Sequence, residues 1–511
     1  MTIPPNCLFK RSLWLDACNI SRGPRFRLIC ILRSMKLYLH YFAIVVLFFA
    51  VCPLFAQQIS TFPTAGFELK KYKFDEMPVV GTHNGLIVKE GGVSGIVYQN
   101  GVFYLISDRG PNADVAAGTA AKGKTPLLFP FPKYAPKVWQ ATLEGDKLQV
   151  LRKYSIKRPD NSTASGLPLP PSGGNPEDMA WSDTLGTTIP YDTWGLDAEG
   201  LARTPNGDWW ICEEYGTSIW QLDAQFRVKK RYTPFPSQPQ DVALDPLWGK
   251  RRSNRGFEGI TCTPNGKVYA LLQSPANIPD EKTGQKSRLH RLLELDPATG
   301  LTRTFIYEHA VPQGNIRNQD WKIGDIAAIN NKEFLVLEHA ERKKESVKNI
   351  YKISIESATP LSASMESQTP IEALIDANTL ISKGIYPVEK KLLADLTQLG
   401  WEQDHDKPEG LTVMSDSTFA VINDNDFGID APKADGNIIG TGKTTRLYVY
   451  TLPGDKRLGY KAPDARTPAG MISRSPKSIT TGSALLPSLK YHLENSISRM
   501  PVSFWRQLRV R

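Results

Sequence analysis

A short unit that recurs five times along the chain constrains its fold more than any other feature of the sequence. Each copy has a small or acidic residue and an apolar residue, followed by two apolar runs separated by a turn; the copies begin at Ser94, Glu199, Glu258, Asp325 and Glu409. In the copies at 94, 199 and 409, a polar residue closes the pattern 14 positions later, and the other two copies agree within one position. Asn-Gly turns between runs rich in Val, Ile, Phe and Trp indicate β-hairpins.

Further strand patterns follow most of these hairpins, for example at residues 289–295 and 302–307. A four-stranded unit repeated around a ring is the blade of a β-propeller. The sequence therefore predicts an all-β fold, a β-propeller of six blades, with five or seven blades as the alternatives. The sixth blade is expected in the wide gap between the first and second copies. The strand pattern of residues 66–74 is expected to complete the last blade.

The net charge of +10 is distributed unevenly along the chain. Residues 57–455 contain 44 Lys and Arg against 49 Asp and Glu, so the excess of basic residues belongs to the two ends. A protein that binds duplex nucleic acid needs a basic stripe across a folded face. The slightly acidic body argues against nucleic acid as a partner.

The segment from Met35 to Ala56 is typical of a secretory signal peptide. Lys36 is followed by an apolar run at 42–51, then by Pro53 and the small residue Ala56. An uncleaved membrane anchor is the alternative, since the run is near the lower limit for a bilayer span. We therefore expect export to the periplasm or the cell exterior, and no stable membrane span after signal cleavage.

The chain is predicted to have four segments. Residues 1–34 are interpreted as an over-long start, 35–56 as the signal peptide, 57–455 as the propeller and 456–511 as a basic tail. Four of the six cysteines precede residue 57, which leaves Cys212 and Cys262 in the propeller. These two can form one disulfide or remain two buried thiols, and their spacing does not decide between the two.

The repeat predicts a shared site, because the innermost strand of every propeller blade lines the central channel. Equivalent polar residues of successive copies should therefore converge on one axis. Carboxylates gathered on one axis repel one another, and a hard cation with 6–8 oxygen ligands, such as Ca²⁺ or another divalent ion, resolves the conflict. The alternative is that acids before glycine only stabilise turns. The predicted metal ligands are Asp108, Glu199, Glu213, Glu258, Gln273, Asp325, Glu409, Asn423 and Asp424.

Several longer motifs resemble the phytase-like family, also described as the esterase-like activity of phytase. The resemblance rests on Asp197–Ala202, Glu213–Gly216, Asn254–Ile260, Gln273–Pro275, Glu409–Leu411 and Asn423–Gly428. It implies an exported bacterial-type propeller and hydrolysis of phosphoesters or carboxyl esters. Asp325 departs from the family pattern, since it stands where a Glu-Gly element is expected.

Metal-assisted hydrolysis assigns roles to several of these residues. Glu199, Glu258 and Glu409 are predicted to be catalytic carboxylates, and His339 a general base, with a packed histidine as its alternative. Arg109 and Arg255 are predicted to bind phosphate oxygens; salt bridges to a neighbouring blade are the alternative. Tyr215 is predicted to stack on the substrate, although aromatic residues in strands usually belong to the core.

The function predicted from sequence is a secreted, metal-dependent ester or phosphoester hydrolase. We expect a monomer that acts on a small molecule. Two alternatives remain open, namely a non-catalytic propeller that binds a ligand or a protein around a structural calcium, and a lactonase-type hydrolase.

Overall fold

The computed structural model describes residues 64–74, 76–115, 126–171, 179–362, 365, 370–402, 407–430 and 437–461. Nearly all regular structure in these ranges is β-strand. In chain order the strands are β1 (Glu68–Lys73), β2 (Val79–His83), β3 (Leu86–Lys89), β4 (Val93–Gln99), β5 (Val102–Ser107), β6 (Ala113–Asp114), β7 (Leu127–Leu128), β8 (Lys137–Glu144), β9 (Lys147–Ser155), β10 (Ala180–Trp181), β11 (Ala198–Arg203), β12 (Trp209–Glu213), β13 (Ser218–Leu222), β14 (Val228–Thr233), β15 (Asp241–Ala243), β16 (Phe257–Cys262), β17 (Val268–Leu272), β18 (Leu289–Leu295), β19 (Thr302–Glu308), β20 (Trp321–Ala328), β21 (Glu333–Arg342), β22 (Glu345–Ser354), β23 (Glu389–Asp395), β24 (Lys407–Ser415), β25 (Thr418–Asp424), β26 (Ile429–Asp430), β27 (Ile439–Gly440) and β28 (Arg446–Thr451).

Helices in the described ranges are short. The α-helices are α1 (Glu281–Lys286) and α2 (Ala377–Ser382), and 3-10 turns lie at Pro246–Lys250, Asn318–Asp320, Ile371–Leu374 and Asp426–Gly428. None of these helices has the length and apolar character that a bilayer crossing requires.

Five antiparallel four-stranded units contain the repeated hairpins, and a parallel pairing of β1 with β9 joins the last unit to the first in one 8-stranded sheet. Blade 1 has the order β4-β5-β8-β9, and blade 2 the order β11-β12-β13-β14, to which β15 adds in parallel. Blade 3 is β16-β17-β18-β19, and blade 4 is β20-β21-β22-β23. Blade 5 is β24-β25-β28-β1, so the first strand of the described chain pairs with the last. The expectation that residues 66–74 complete the last blade is confirmed.

The first strands of the five blades form a closed ring. β4 contacts β11, β11 contacts β16, β16 contacts β20, β20 contacts β24, and β24 returns to β4. Glycines allow the close approach of these strands: a Cβ on Gly95 would lie 2.8 Å from the Cα of Gly200, and one on Gly259 would lie 2.7 Å from the Cα of Asp325. The arrangement is that of a β-propeller.

The described residues contain five four-stranded blades, so the predicted count of six is not confirmed. The gap between the first and second copies supplies β8 and β9, the outer strands of blade 1, instead of another hairpin. It also supplies a small sheet of two-residue strands in the order β10-β7-β6. The sequence predicts strands at 137–143 and 148–156 after the first hairpin, and the structure confirms them as the outer strands of its blade.

The hydrophobic core is divided among the interfaces between adjacent blades. Trp210 of blade 2 shares a buried cluster with Leu293 of blade 3, and Leu337 of blade 4 shares one with Val421 of blade 5. Burial between sheets is the main source of stability in such a fold. Cys212 and Cys262 are both free thiols, which excludes the disulfide alternative in this structure.

The predicted over-long start and signal peptide lie outside the described residues. Of the predicted basic tail, only residues 456–461 lie within them. The predictions for these segments are therefore neither confirmed nor corrected by the structure.

Candidate functional site

Every inner hairpin contains a β-bulge at the same place. The pairing register shifts between Val93 and Gly95, Ala198 and Gly200, Phe257 and Gly259, Ile323 and Asp325, and Pro408 and Gly410. A bulge leaves one residue outside the ladder and redirects its side chain. The residues at the five bulges are Ser94, Glu199, Glu258, Gly324 and Glu409. The sequence prediction therefore placed Glu199, Glu258 and Glu409 correctly at equivalent positions.

Asp325 does not belong to this set, because it occupies the position that is glycine in the other four blades. Its carboxylate accepts hydrogen bonds from the backbone N–H of Ile326 at 2.7 Å and of Leu411 at 2.8 Å. The second bond ties blade 4 to the inner strand of blade 5. Asp325 is therefore a structural link, and its predicted role as a metal ligand is corrected.

A second set of equivalent side chains lies where the second strand of each blade ends. These residues face the inner strand two positions before its bulge, and they are Asp108, Glu214, Gln273, His339 and Asp424. Successive residues of a strand point to opposite faces. The residues one position earlier, including Glu213 and Asn423, therefore point away from this set.

Glu213 and Asn423 were predicted as metal ligands, and the structure gives them other partners. The Glu213 carboxylate accepts from Gly216 N at 2.9 Å and from Ser218 Oγ at 2.6 Å. Asn423 Oδ1 accepts from Arg446 N at 2.6 Å. Both side chains stabilise local turns and strand ends. In the set of residues that face the site, Glu214 therefore takes the place of Glu213, and Asp424 belongs to the set while Asn423 does not.

A third set of equivalent positions was missed by the sequence analysis. Counting two residues back from each bulge gives Gly92, Asp197, Gly256, Lys322 and Lys407. Asp197 adds a carboxylate on blade 2, while the two lysines bring positive charge to blades 4 and 5. The sequence contained this signal, since each of the five residues lies two positions before the bulge residue of its own repeat.

Asp197, Glu199 and Glu214 form an acidic triad on blade 2. One carboxylate oxygen from each lies within 4.8 Å of the others, and all three side chains are buried. Burial is the main cause that raises the pKa of Glu199 well above its usual value, and Asp197, Glu258 and Glu214 add to it. Burial also raises the pKa of Glu214, with a further contribution from Asp197. Three carboxylates this close resist being ionised together unless a cation joins them.

Glu258 and Gln273 of blade 3 lie next to this triad. Burial and then the charge of Glu214 raise the pKa of Glu258 to about 8. Among the described residues, Glu258 Oε2 and Gln273 Oε1 have no hydrogen-bond partner, although the side chains are only 2% and 4% exposed. Buried polar atoms without partners are rare and need an explanation, such as an ion or a ligand.

Blades 5 and 1 add further acids to this site. Burial and the neighbouring Asp424 raise the pKa of Asp108 and of Glu409 well above their usual values. Burial and Asp426 raise the pKa of Asp424 to about 6. The carboxylates of four blades therefore interact electrostatically at one end of the channel, as the repeat predicted.

The two lysines have different surroundings. Lys407 Nζ lies 3.2 Å from Asp424 and 2.5 Å from Asp426. Burial opposes its charge, but these acids outweigh burial and raise the pKa of Lys407 well above its usual value. Lys322 makes no ion pair or side-chain hydrogen bond within the described ranges. Burial, Arg255 and Lys407 lower the pKa of Lys322 more than Glu258 and Glu409 raise it.

The predicted substrate-binding residues differ in what they contact. Arg109 Nη1 donates to Asp197 Oδ2 at 2.7 Å, so the salt-bridge alternative describes this residue. Arg255 Nη1 donates to Ser274 Oγ at 2.7 Å, and this side chain has no carboxylate partner among the residues described. Tyr215 is buried and its hydroxyl donates to the carbonyl of Gly166 at 3.0 Å. A substrate cannot stack on Tyr215, and that prediction is corrected.

His339 lies at the site but does not have the properties of a base that titrates near neutral pH. Burial is the main cause that lowers the pKa of His339 well below its usual value, and Lys322, Lys348 and Lys407 add to it. Its Nε2 has no partner in the part of the chain that the structure describes. The imidazole is therefore neutral, with one nitrogen free for a ligand.

A separate cavity of about 150 Å³ lies at the other end of the inner strands. Its lining includes Tyr98, Arg203, Thr261, Thr412 and Tyr460, and none of the acidic side chains that form the central site. The chemistry and the cavity therefore lie at opposite ends of the ring.

Comparison with known proteins gives a family match over most of the described chain. The family model named phytase-like, with the description esterase-like activity of phytase, matches residues 89–427. An uncharacterized secreted protein of Arthroderma benhamiae is 25% identical over 197 residues, which cover 32% of this chain and 38% of that relative. The chain thus matches less than half of the relative's length.

Solved structures give more distant similarities. A protein from Lactobacillus plantarum has 9% identity and a TM-score of 0.30, over 77% of this chain and 97% of its own. Virginiamycin B lyase from Staphylococcus aureus has 10% identity and a TM-score of 0.25, over 76% and 99%. A luciferin-regenerating enzyme has 8% identity and a TM-score of 0.31, over 77% and 100%.

Proposed function

Because the chain belongs to the phytase-like family, we propose that it is a metal-dependent hydrolase of ester or phosphoester bonds, with its centre at the acidic end of the propeller channel. The observation that carries the proposal is the acidic triad beside Glu258, whose Oε2 is buried without a partner. Family membership supports hydrolysis as the activity, and the geometry of the triad supports the acidic end of the channel as its site.

The residues present fit a hard cation. Asp197, Glu199 and Glu214 would hold it, and Gln273 Oε1 offers an amide oxygen nearby, a donor set of the kind that Ca²⁺ prefers. When bound, such an ion would supply positive charge against the negative charge that develops on the substrate and would make a water molecule more acidic. Arg109 orients Asp197 through two hydrogen bonds, from Nη1 at 2.7 Å and from the backbone N at 3.1 Å.

Glu258 is the proposed proton donor. Burial and then Glu214 raise its pKa to about 8, so this carboxyl holds a proton more readily at neutral pH than an exposed glutamate does. Its Oε2 has no partner, so a proton there is available to the oxygen of a leaving group. A general acid works best when its pKa lies near the working pH. Burial and Asp424 also raise the pKa of Glu409 of blade 5, on which the charge of Glu258 acts in the same direction. Glu409 is the second proposed proton donor or acceptor.

We further propose that the protein is exported as a monomer. The signal-like segment at residues 35–56 supports export, and the curated relative is named as a secreted protein.

The test is an assay of the purified protein on an aryl phosphate, an aryl acetate and a lactone, with chelator and then with added Ca²⁺. Turnover that is lost with chelator, restored by Ca²⁺ and abolished by Glu199→Gln and Glu258→Gln supports the proposal. Absence of turnover on every substrate, together with melting that depends on Ca²⁺, would instead identify a binding protein with a structural ion. Preference for the lactone would identify a lactonase.

A further inference from the structure

The cavity at the other end of the inner strands receives residues from all five blades. Its lining residues nearest the bulges are apolar and no more than 3% exposed, and each lies two positions after the bulge residue of its own strand: Ile96, Leu201, Ile260, Ile326 and Leu411. A layer of apolar side chains therefore lies between the acidic site and the cavity. The cavity is a separate site and not an extension of the acidic one.

Hydrogen bonds between neighbouring blades fix the walls of this cavity. Thr412 Oγ1 of blade 5 accepts from the backbone N–H of Tyr98 of blade 1 at 3.0 Å, and Thr261 Oγ1 of blade 3 accepts from the backbone N–H of Ala328 of blade 4 at 2.9 Å. All four residues belong to the lining. These bonds give the cavity a fixed shape, as is usual for small-molecule sites.

A segment after the last strand contributes Tyr460 to the lining. The carboxylate of Asp416, in the turn between β24 and β25, accepts from the backbone N–H groups of Gly459 at 2.7 Å and of Tyr460 at 2.8 Å. Burial and then the neighbouring Tyr98 raise the pKa of Tyr460, so its hydroxyl stays protonated and can donate a hydrogen bond. Two tyrosines therefore contribute aromatic surface and hydroxyl groups to the same cavity.

Arg203 brings a positive charge to the cavity, and the lining contains no aspartate or glutamate. Arg203 Nη1 donates to Gln99 Oε1 at 2.8 Å, and the guanidinium carbon lies 4.8 Å from the centre of the Trp209 ring. These contacts hold the guanidinium in place, and Arg203 forms no ion pair within the described ranges. Its other N–H groups remain for a ligand. The exposed Lys461 adds a second positive charge to the lining.

We propose that this cavity binds a small organic carboxylate with a flat, apolar body. Gln99 occupies Nη1 of Arg203, which leaves Nε and Nη2 as the pair of parallel donors that a carboxylate accepts from. The body lies between the apolar layer and the two tyrosines, Tyr98 and Tyr460. A cavity of about 150 Å³ has room for a body of the size of a benzene ring. Binding at this end does not depend on hydrolysis at the acidic end.

The experiment is calorimetric titration of benzoate into the purified protein in chelator, so that no cation at the acidic end can attract the carboxylate. We expect saturable binding of benzoate and weaker binding of benzyl alcohol, which has the same ring without the charge. Arg203→Met should weaken benzoate binding at least about tenfold, as loss of a charged hydrogen bond does. Arg152→Met, at an exposed arginine of β9 outside the lining, is the matched control and should bind benzoate as the parent protein does.

A second variant tests the space in the cavity independently of its charge, and it replaces Arg203→Met should that protein not fold. Ala328→Leu fills part of the cavity and keeps the backbone N–H that donates to Thr261. It should also weaken benzoate binding, because the ring and the added side chain compete for the same volume.

Three results would overturn the proposal. They are no saturable binding of benzoate by the parent protein, equal affinity for benzoate and benzyl alcohol, and benzoate binding that is unchanged in Arg203→Met or in Ala328→Leu. None of these results bears on the proposed hydrolysis, because the titration is done in chelator and contains no ester.

Discussion

Arg109 of blade 1 donates through Nη1 to Asp197 Oδ2 of blade 2 at 2.7 Å, and its backbone N–H donates to Oδ1 of the same carboxylate at 3.1 Å. The side chains are 13% and 1% exposed. A carboxylate that is held at both oxygens by the neighbouring blade has one orientation. Arg109 thereby positions one member of the acidic triad and links two blades at the channel end where the chemistry is proposed.

Replacing Arg109 by alanine should weaken Ca²⁺ binding about tenfold to a hundredfold, the usual effect of losing a group that orients a metal ligand. The measurement is calorimetric titration of Ca²⁺. Arg203→Ala is the matched control, because Arg203 links the same two blades at the opposite end by donating to Gln99 at 2.8 Å. That control should lower stability without changing Ca²⁺ affinity. Equal affinities in all three proteins would show that Arg109 has no part in the site.

Glu199→Gln should have opposite effects on the protein with and without a cation. In chelator the variant should be more stable than the parent by about 1–2 kcal/mol, because glutamine has no carboxyl that must either stay charged among like charges or take up a proton on folding. Added Ca²⁺ should stabilise the parent by about 2.7 kcal/mol at a hundredfold excess over Kd, and the variant far less. Thermal melts with chelator and with Ca²⁺ measure both effects, and Glu144→Gln on the exposed end of β8 serves as control. A variant that gains as much from Ca²⁺ as the parent would remove Glu199 from the ligand set.

The fold was largely predictable because its information is local. The paired apolar runs identified the inner hairpin of all five blades, with Asn-Gly turns in the first three, and residues 66–74 were expected to close the ring. The count of six is not confirmed: β8 and β9 follow the first hairpin and complete blade 1, and the described residues between them and the second hairpin form no further four-stranded blade.

The central site was predictable in outline and less so in its members. The spacing of the repeat placed Glu199, Glu258 and Glu409 on equivalent positions, but spacing alone does not reveal a bulge. A shift of one residue reverses the face of a strand. That single residue separates Glu214 from Glu213, and it moves Asp325 from a ligand position to a structural one. Lys322 was not predicted, because it lies two residues before the bulge and therefore outside the repeated motif.

Glu213 makes the stability of the protein depend on pH. Burial is the main cause that raises its pKa from 4.5 to about 7, against the hydrogen bonds from Ser218 and Gly216 that lower it. The folded protein therefore binds more protons than the unfolded chain between about pH 4.5 and pH 7, and this contribution to stability falls as the pH rises through that window. Glu213→Gln should remove this pH dependence. The free energy of unfolding of the variant should therefore be higher than that of the parent by up to about 3 kcal/mol near pH 8 and equal to it near pH 4.5. Urea unfolding in chelator at the two pH values measures the difference, and a constant difference would contradict the assignment.

Gly259 tests whether close approach of the inner strands holds the ring together. A Cβ at this position would lie 2.7 Å from both the Cα of Asp325 and the backbone N of Ile326, atoms that cannot move without shifting blade 4. Gly259→Ala should therefore destabilise the protein by about 2–3 kcal/mol, the usual cost of overpacking a tight core. Gly266→Ala is the matched control in the same hairpin: its φ of +84° imposes a backbone cost of about 1 kcal/mol, but no atom lies within 4 Å of the added methyl. An equal loss of stability in the two variants would mean that the backbone conformation of glycine matters here and the contact between blades does not. A larger loss of stability in Gly259→Ala, accompanied by weaker Ca²⁺ binding, would show that the packing of the ring also sets the geometry of the acidic site.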